Sequence, residues 1–325
     1  MNTESEDRIT PLITIGITCY NARDTIARAI TSALAQTWPN KEILIVDDCS
    51  TDGSDKIIEE MAGNYAGIRH IRHEHNKGPG GARQTILENA AGEFIAFFDD
   101  DDESKPDRIQ KQYRKISSYE QKTGEKMIAC YASGERIYEN GYNKPLPAIG
   151  SQGGIPYGPD VADYILFYKR RRKWFYGSGT PTCSLMARRS VLLEAGGFDE
   201  SFRRIEDLDL AVRLALKGAN FTGSPEILFT QYATSAPDKA PEKNLEAEQK
   251  LADKHREYLI SKGMYKYARL WPEIRYYHFK KDYLRMAGVL LNIFLNRPVK
   301  TIIHFFDTAP KRLLHEIKIS GKEKQ

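Results

Sequence analysis

The stretch Gly92-Glu93-Phe94-Ile95-Ala96-Phe97-Phe98-Asp99-Asp100-Asp101-Asp102 decides how the rest of the chain is read. A continuous apolar run closed by Gly at one end and by charge at the other is the pattern of a strand buried on both faces. Four carboxylates then emerge at its carboxyl end, which is where open α/β sheets bind their ligands. An acidic run taken alone is either a solvated loop or a cation site. Its position after a buried strand favours the cation, and oxygen-only donors suit Mg²⁺ or Mn²⁺. The spacing of a calcium loop is absent, because Glu103 and Ser104 stand where that pattern needs other residues.

Upstream, Pro11 to Tyr20 reads as a strand, and Asp24 can cap a helix that carries Ile26, Ile30, Ala33 and Leu34 on one face. Glu42 to Val46 is a second buried strand ending at Asp47-Asp48, followed by a helix with Ile57, Ile58 and Met61. Ile68 to Arg72 is a third, shorter strand. Strand and helix alternating at intervals of about thirty residues means parallel pairing with right-handed crossovers. The glycine-rich segment Asn76 to Gln84 precedes a helix expected from about Ala82 to Ala90, without the ending of a P-loop or the full dinucleotide spacing. His73 and His75 beside it read as residues of a solvated loop.

Downstream, a helix is expected from Pro106 to about Tyr119, a strand from Met127 to Ser133, an irregular loop from Tyr142 to Pro159, and a strand from Thr180 to Ala187. Between the last two lies the densest basic and aromatic patch, Tyr168 to Gly177. Ile205 to Gly218 is a helix that begins in acids and ends at Lys217-Gly218, as the helix dipole favours. Capping alone accounts for Glu206, Asp207 and Asp209, with Asp209 on the helix surface or supporting the site from behind. From Glu242 onward the pattern is helical, with segments Glu242 to Lys262, Tyr265 to about Leu270, Ile274 to Asn296 and Val299 to Lys318.

Composition is that of a globular protein: 325 residues, 41% hydrophobic and 28% charged. No apolar run reaches 18 residues, and the polar Met1 to Arg8 lacks a signal-peptide core, so residence in the cytoplasm is expected. Cys19, Cys49, Cys130 and Cys183 lack metal-ligand spacing and read as free structural thiols. Net charge is +4, yet residues 250–325 hold 17 Lys and Arg against 7 Asp and Glu, leaving −6 for residues 1–249. A basic appendage on an acidic body points to an anionic surface, either lipid headgroups or nucleic acid.

Five motifs in register, T-C-Y-N, V-D-D-C-S-T-D-G-S, N-K-G-P-G-G-A-R-Q, F-F-D-D-D-D-E-S-K-P-D-R-I and G-G-F-D-E-S-F-R-R-I-E-D-L-D-L-A-V-R-L, resemble the family 2 glycosyltransferases over about residues 11 to 232. The resemblance implies an α/β fold of the GT-A type, Rossmann-like, with a mostly parallel sheet flanked by helices. It implies a catalytic domain over 11–235 after a polar lead at 1–10, with a basic helical extension over 236–325. It further implies inverting transfer from a nucleotide-sugar, with UDP expected, to a hydroxyl of a glycan or lipid-linked oligosaccharide. By motif position, Thr18, Tyr20 and Asp48 look like the wall for the base, with Asp48 accepting from the uracil ring N–H. Arg83 looks like the arginine near base and phosphates. Asp99-Asp100-Asp101 supplies the D-x-D pattern, with Asp101 and Asp99 on Mn²⁺ or Mg²⁺ and Asp100 on the ribose or metal shell. Asp207 looks like the catalytic base, kept ionised by the helix dipole. Acceptor contacts are expected from Glu206, Trp174, Tyr176, Thr182 and Ser184, with Cys183 on the same strand. The basic patch and tail suit peripheral contact with an anionic membrane at the cytoplasmic face of the inner membrane, and no nucleic acid is expected.

Two other readings make different demands. A sugar-phosphate nucleotidyltransferase needs a Gly-rich basic loop after the first strand, which Thr18 to Arg23 lacks. A non-catalytic scaffold of the same fold would lose metal or base carboxylates, whereas Asp99 to Asp101 and Asp207 remain.

Overall fold

The computed structural model describes residues 10–233 and 240–320. The expected domain boundary at 235/236 and nearly all of the 1–10 lead fall outside the described residues. The strands are β1 (Ile13–Cys19), β2 (Lys41–Asp47), β3 (Ile68–Arg72), β4 (Phe94–Asp99), β5 (Asp102–Ser104), β6 (Ile128–Ile137), β7 (Asn143–Leu146), β8 (Leu185–Arg188) and β9 (Asn220–Tyr232). The helices are α1 (Ile26–Leu34), α2 (Ser54–Asn64), α3 (Gly78–Asn89), α4 (Arg108–Thr123), α5 (Pro159–Phe167), α6 (Arg189–Glu194), α7 (Glu206–Leu216), α8 (Pro241–Lys254), α9 (Arg256–Ser261), α10 (Tyr265–Phe279), α11 (Tyr283–Asn296) and α12 (Pro298–Ser320).

One sheet runs β3-β2-β1-β4-β8-β6-β9-β5, with β7 beside β6. Its first four strands are all parallel, and antiparallel pairing enters at β8. Two residues separate β4 from β5, yet β5 pairs with β9 at the far end of that order. The sheet therefore curls round, and Asp99 to Asp102 form the short link across its mouth.

The unbroken apolar runs follow from covering both faces. Ile43, Ile45, Phe94, Ala96 and Phe98 pack with Ile26 and Ile30 of α1, Ile58 of α2 and Ile109 and Ile116 of α4. Leu44, Val46, Ile95 and Phe97 pack on the opposite side with Ile86 of α3, Leu192 of α6 and Leu210 and Leu214 of α7. That second core also contains Leu251, Leu259, Tyr267 and Ile274, so the C-terminal helices share it.

Several boundaries move. The helix expected from Ala82 begins at Gly78, because the Asp48 carboxylate accepts from Lys77 N (2.8 Å) and Gly78 N (2.7 Å) and caps it from the end of β2. The Thr180 to Ala187 strand shortens to β8, preceded by a 3-10 turn at Thr182–Ser184 whose carbonyls are claimed by α4. The helix expected over Glu242 to Lys262 breaks at His255. Helix α10 instead runs through Pro272 and ends near Lys281, in left-handed backbone at φ 57°, where Asp282 caps α11 through Arg285 N.

Candidate active site

The carboxyl ends of β1, β2 and β4 lie side by side: Thr18 is in register with Val46 on one neighbour and Asp99 on the other. Tyr20, about half exposed, follows β1, and its N–H donates to Asp100 Oδ2 at 2.9 Å. Asp48 is buried and already engaged. Besides capping α3, it meets His73 Nδ1 at 2.7 Å, and His73 Nε2 lies 2.8 Å from Thr85 Oγ1. His73 is therefore a buried link between β2 and α3, not a residue of a solvated loop. The helix N-terminus that follows the glycine-rich segment is thus filled by a carboxylate of the same chain.

Helix α3 comes close to the loop before α7. A Cβ on Gly80 would stand 2.9 Å from Asp199 O and 3.2 Å from Phe202 O, so only glycine allows this approach. It lets Arg83 reach across the cleft. One Nη donates to Asp99 Oδ1 at 2.9 Å, the other binds the Glu206 carboxylate, and Nε is buried without a partner. Arg83 thus ties the acidic end of β4 to the first residue of α7, and Glu206 is spent on this clamp before any acceptor arrives. Opposing carboxylates hold the guanidinium charged despite burial. Helix α7 starts from Ile205 at φ 56°, a left-handed conformation costly for a β-branched side chain, of order 1–3 kcal/mol.

Asp207, next on α7, corrects one expectation. Burial first, and repulsion from Glu206 second, push its carboxyl up to about 7, against the pull of Arg83 and the amide of Leu208. Its surface is only partly covered, yet desolvation outweighs the pull of the helix N-terminus. A carboxyl there changes protonation near neutral pH.

Asp209 is not a surface acid. It is fully buried and receives Arg213 (2.8 Å), Lys254 (2.8 Å) and His255 (3.2 Å). Burial opposes its charge, but these partners win and lower its pKa. Lys254 and His255 come from the C-terminal helices, so they are anchored to the helix that carries Asp207. Replacing His255 with Ala should cost about 1–3 kcal/mol in urea unfolding, the usual penalty for stripping a partner from a buried acceptor.

The acidic link fits a hard divalent cation. Burial, then neighbouring carboxylates, push Asp102 well above the usual carboxylate range; Asp100 rises to about 8 through burial first and through Asp101 and Asp99. A cation would relieve this. Ligand atoms of Asp99, Asp102 and Cys183 lie within 4.8 Å of one another, a grouping that does not include Asp101. Burial first, and the two acids second, raise the Cys183 thiol, which stays protonated and is a soft donor ill matched to Mg²⁺ or Mn²⁺. Asp102 is buried and accepts from Gln231 Nε2 at 3.0 Å, so it backs the site. Arg28, which nothing in the local sequence marked, donates to Asp101 O at 2.7 Å and lies over the Tyr232 ring.

The other residues expected at the acceptor are buried. Tyr176 is 1% exposed and stacks on Tyr164 at 4.0 Å, and Trp174 is buried against Tyr157 and the backbone of Gly153 and Gly154. Thr182 and Ser184 are buried in the 3-10 turn, with Ser184 Oγ donating to Pro181 O. The adjacent basic run is largely neutralised: Lys169 pairs with Asp163, Arg171 with Asp160 and Arg170 with Asp307.

The sequence profile of Glycosyl transferase family 2 matches residues 14–195, more than half of the chain. The chain belongs to that family. Among relatives of this family 2 glycosyltransferase are the succinoglycan biosynthesis protein ExoO of Rhizobium meliloti (strain 1021), 38% identical over 36% of this chain and 33% of that protein. Another is the UDP-Glc:alpha-D-GlcNAc-diphosphoundecaprenol beta-1,3-glucosyltransferase WfaP of Escherichia coli, 42% identical over 31% of this chain and 39% of that protein. The matches thus span little more than a third of each relative. Among solved structures, S. aureus TarS in complex with UDP-GlcNAc superposes with TM-score 0.58 at 19% identity, over 91% of this chain and 80% of that one. The family 2 chain therefore has the GT-A fold, a curled α/β sheet with helices added at its C-terminal end.

Proposed function

We propose that this family 2 enzyme transfers a sugar from a UDP-sugar to a hydroxyl of a glycan or lipid-linked oligosaccharide, with inversion at the anomeric carbon. The observation that carries the reading is the Arg83 clamp, which holds Asp99 of the acidic link and Glu206 beside Asp207 across one cleft. Donor and acceptor chemistry need such opposed carboxylates. In this reading 11–235 is the catalytic domain and 236–325 the extension.

Asp99 and Asp101 would hold Mn²⁺ or Mg²⁺, with Asp102 behind them; the ion supplies Lewis-acid neutralisation of the departing diphosphate. Thr18 and Tyr20 form the wall for the base, together with the β2 end that Asp48 fastens to α3. Asp100 fixes the backbone of Tyr20 against that wall. Asp207 accepts the proton of the attacking hydroxyl, and Arg83 with Glu206 keeps its helix at a fixed distance from the donor.

Peripheral membrane contact, at the cytoplasmic face of the inner membrane, is supported by the outer sides of α11 and α12. Leu284, Leu295, Val299 and Phe306 are each at least two-thirds exposed there, with Lys281 and Arg285 close in sequence to the first and Arg297 and Lys300 to the next two. Among the described residues no helix is long and apolar enough to cross a membrane.

A thermal-shift titration tests the donor site. UDP with Mn²⁺ should raise the melting temperature and UDP alone much less; at 100 Kd the linkage is worth about 2.7 kcal/mol. Asp101→Ala should remove the metal-dependent part. No UDP shift under either metal would sink the donor assignment.

A further inference from the structure

Between α5, the start of α7, α8, α10, α11 and α12 lies a cavity of about 560 Å³. Folded interiors rarely leave such space, and the volume falls within the roughly 300–1,000 Å³ typical of ligand pockets. Its wall is mostly apolar, with Phe167, Leu208, Leu251, Trp271, Met286 and Phe305 among the contributors. Leu208, which lines it, directly follows Asp207 in the chain. At another part of the wall Leu313 is half exposed, which opens the cavity toward the outer apolar side of α12.

The polar residues on this wall are cationic in excess. Arg275 and Arg312 face Glu248 alone among wall acids. Glu248 binds one Nη of Arg275, and Glu316 accepts from Arg312 Nε at 3.0 Å and lies 3.3 Å from His278 Nε2. Each guanidinium has five N–H donors, so both retain N–H groups for a further anion. Burial first, then the nearby charges of Arg312 and Arg204, lower Arg275 to about 10, so it stays charged at neutral pH. An apolar chamber with clustered guanidinium groups matches an amphiphile with a hydrocarbon chain and a phosphate-rich link.

We propose that the cavity holds the hydrocarbon chain of a lipid-linked acceptor while Arg275 and Arg312 bind the diphosphate joining that chain to the sugar. This rests on the glycosyltransferase reading of the Asp207 cleft and assigns its acceptor class. The chain enters past α12 from the membrane side, where Arg312 stands next to the half-exposed Leu313. The C-terminal helices thereby become part of the acceptor site, where the buried aromatic residues of the 170s do not serve.

The test is calorimetric binding to the full chain, with the donor site saturated by UDP and Mg²⁺ and the lipid probe below its micelle-forming concentration. Farnesyl diphosphate should bind at least tenfold more tightly than farnesol or inorganic pyrophosphate. Ala309→Trp, which fills the cavity from α12, should abolish farnesyl diphosphate binding. Arg312→Gln should remove most of the preference over farnesol and leave farnesol affinity unchanged. Both variants should keep the UDP thermal shift, which shows that they are folded. Farnesyl diphosphate binding no tighter than pyrophosphate, or undiminished in Ala309→Trp, with UDP binding intact, overturns this inference alone. A wild-type chain that binds no UDP overturns the active-site reading instead.

Discussion

Asp207→Asn should lower kcat/KM for sugar transfer by about 10²–10⁴-fold, the range that a positioned general base contributes. The change keeps the shape of the side chain and removes its capacity to take a proton. Wild-type kcat/KM should rise with pH through the region near 7 and level off above it, because only the ionised carboxylate accepts a proton and burial has raised its pKa to about 7. Below that pKa the rate should drop about tenfold per pH unit. The variant should lose this limb and keep its thermal shift with UDP. Transfer at the wild-type rate in Asp207→Asn would place the base elsewhere, and Glu206 would be the next residue to test.

Arg108→Met should destabilise the fold by about 3–5 kcal/mol in urea unfolding, the cost of breaking a buried charged network. Arg108 is 1% exposed beneath the acidic link. It donates to Ser104 Oγ at 2.9 Å, Phe97 O at 2.9 Å, Cys183 O at 2.7 Å and Gln112 Oε1 at 3.1 Å, and lies over the Phe98 ring at 4.3 Å. Burial pulls its pKa down to about 10, which leaves it charged at neutral pH. Methionine matches the length of the stem but takes the Arg108 donor from four buried acceptors, two backbone carbonyls, the Gln112 amide oxygen and the Ser104 hydroxyl. It also removes a cation whose charge favours the ionised form of Asp102. A loss under about 1 kcal/mol would mean that water replaces the guanidinium, and the acidic link would then owe its shape to β5 and β9 alone.

The strands that carry the site were legible because each is buried on both faces: Ile43 to Val46 and Phe94 to Phe98 alternate between two cores, and only apolar residues serve at every position. The acids at their ends were legible for the same reason, since charge cannot continue such a run. What local pattern could not supply was pairing over distance. Asp48 caps a helix thirty residues away, so the start of α3 is not written beside it. Asp209 looks like any acid in a first helical turn until Lys254 and His255 arrive from another part of the chain. Trp174 and Tyr176 sit in a basic run that suggests a surface, yet Asp160, Asp163 and Asp307 cancel that charge and the rings turn inward. Cys183 joins Asp99 and Asp102 only because Arg108 and Gln112 hold its turn against β4.

The Asp209 knot limits how modular this enzyme is. Exchanging C-terminal segments between relatives is an obvious route to new acceptor preference, and a splice near residue 236 looks natural from the primary structure. A chimaera joined there would strip Lys254 and His255 from a fully buried carboxylate unless the incoming helices carried equivalents. Helices α8 and α9 therefore travel with the catalytic half, and a workable junction lies after them, at the turn near Gly263.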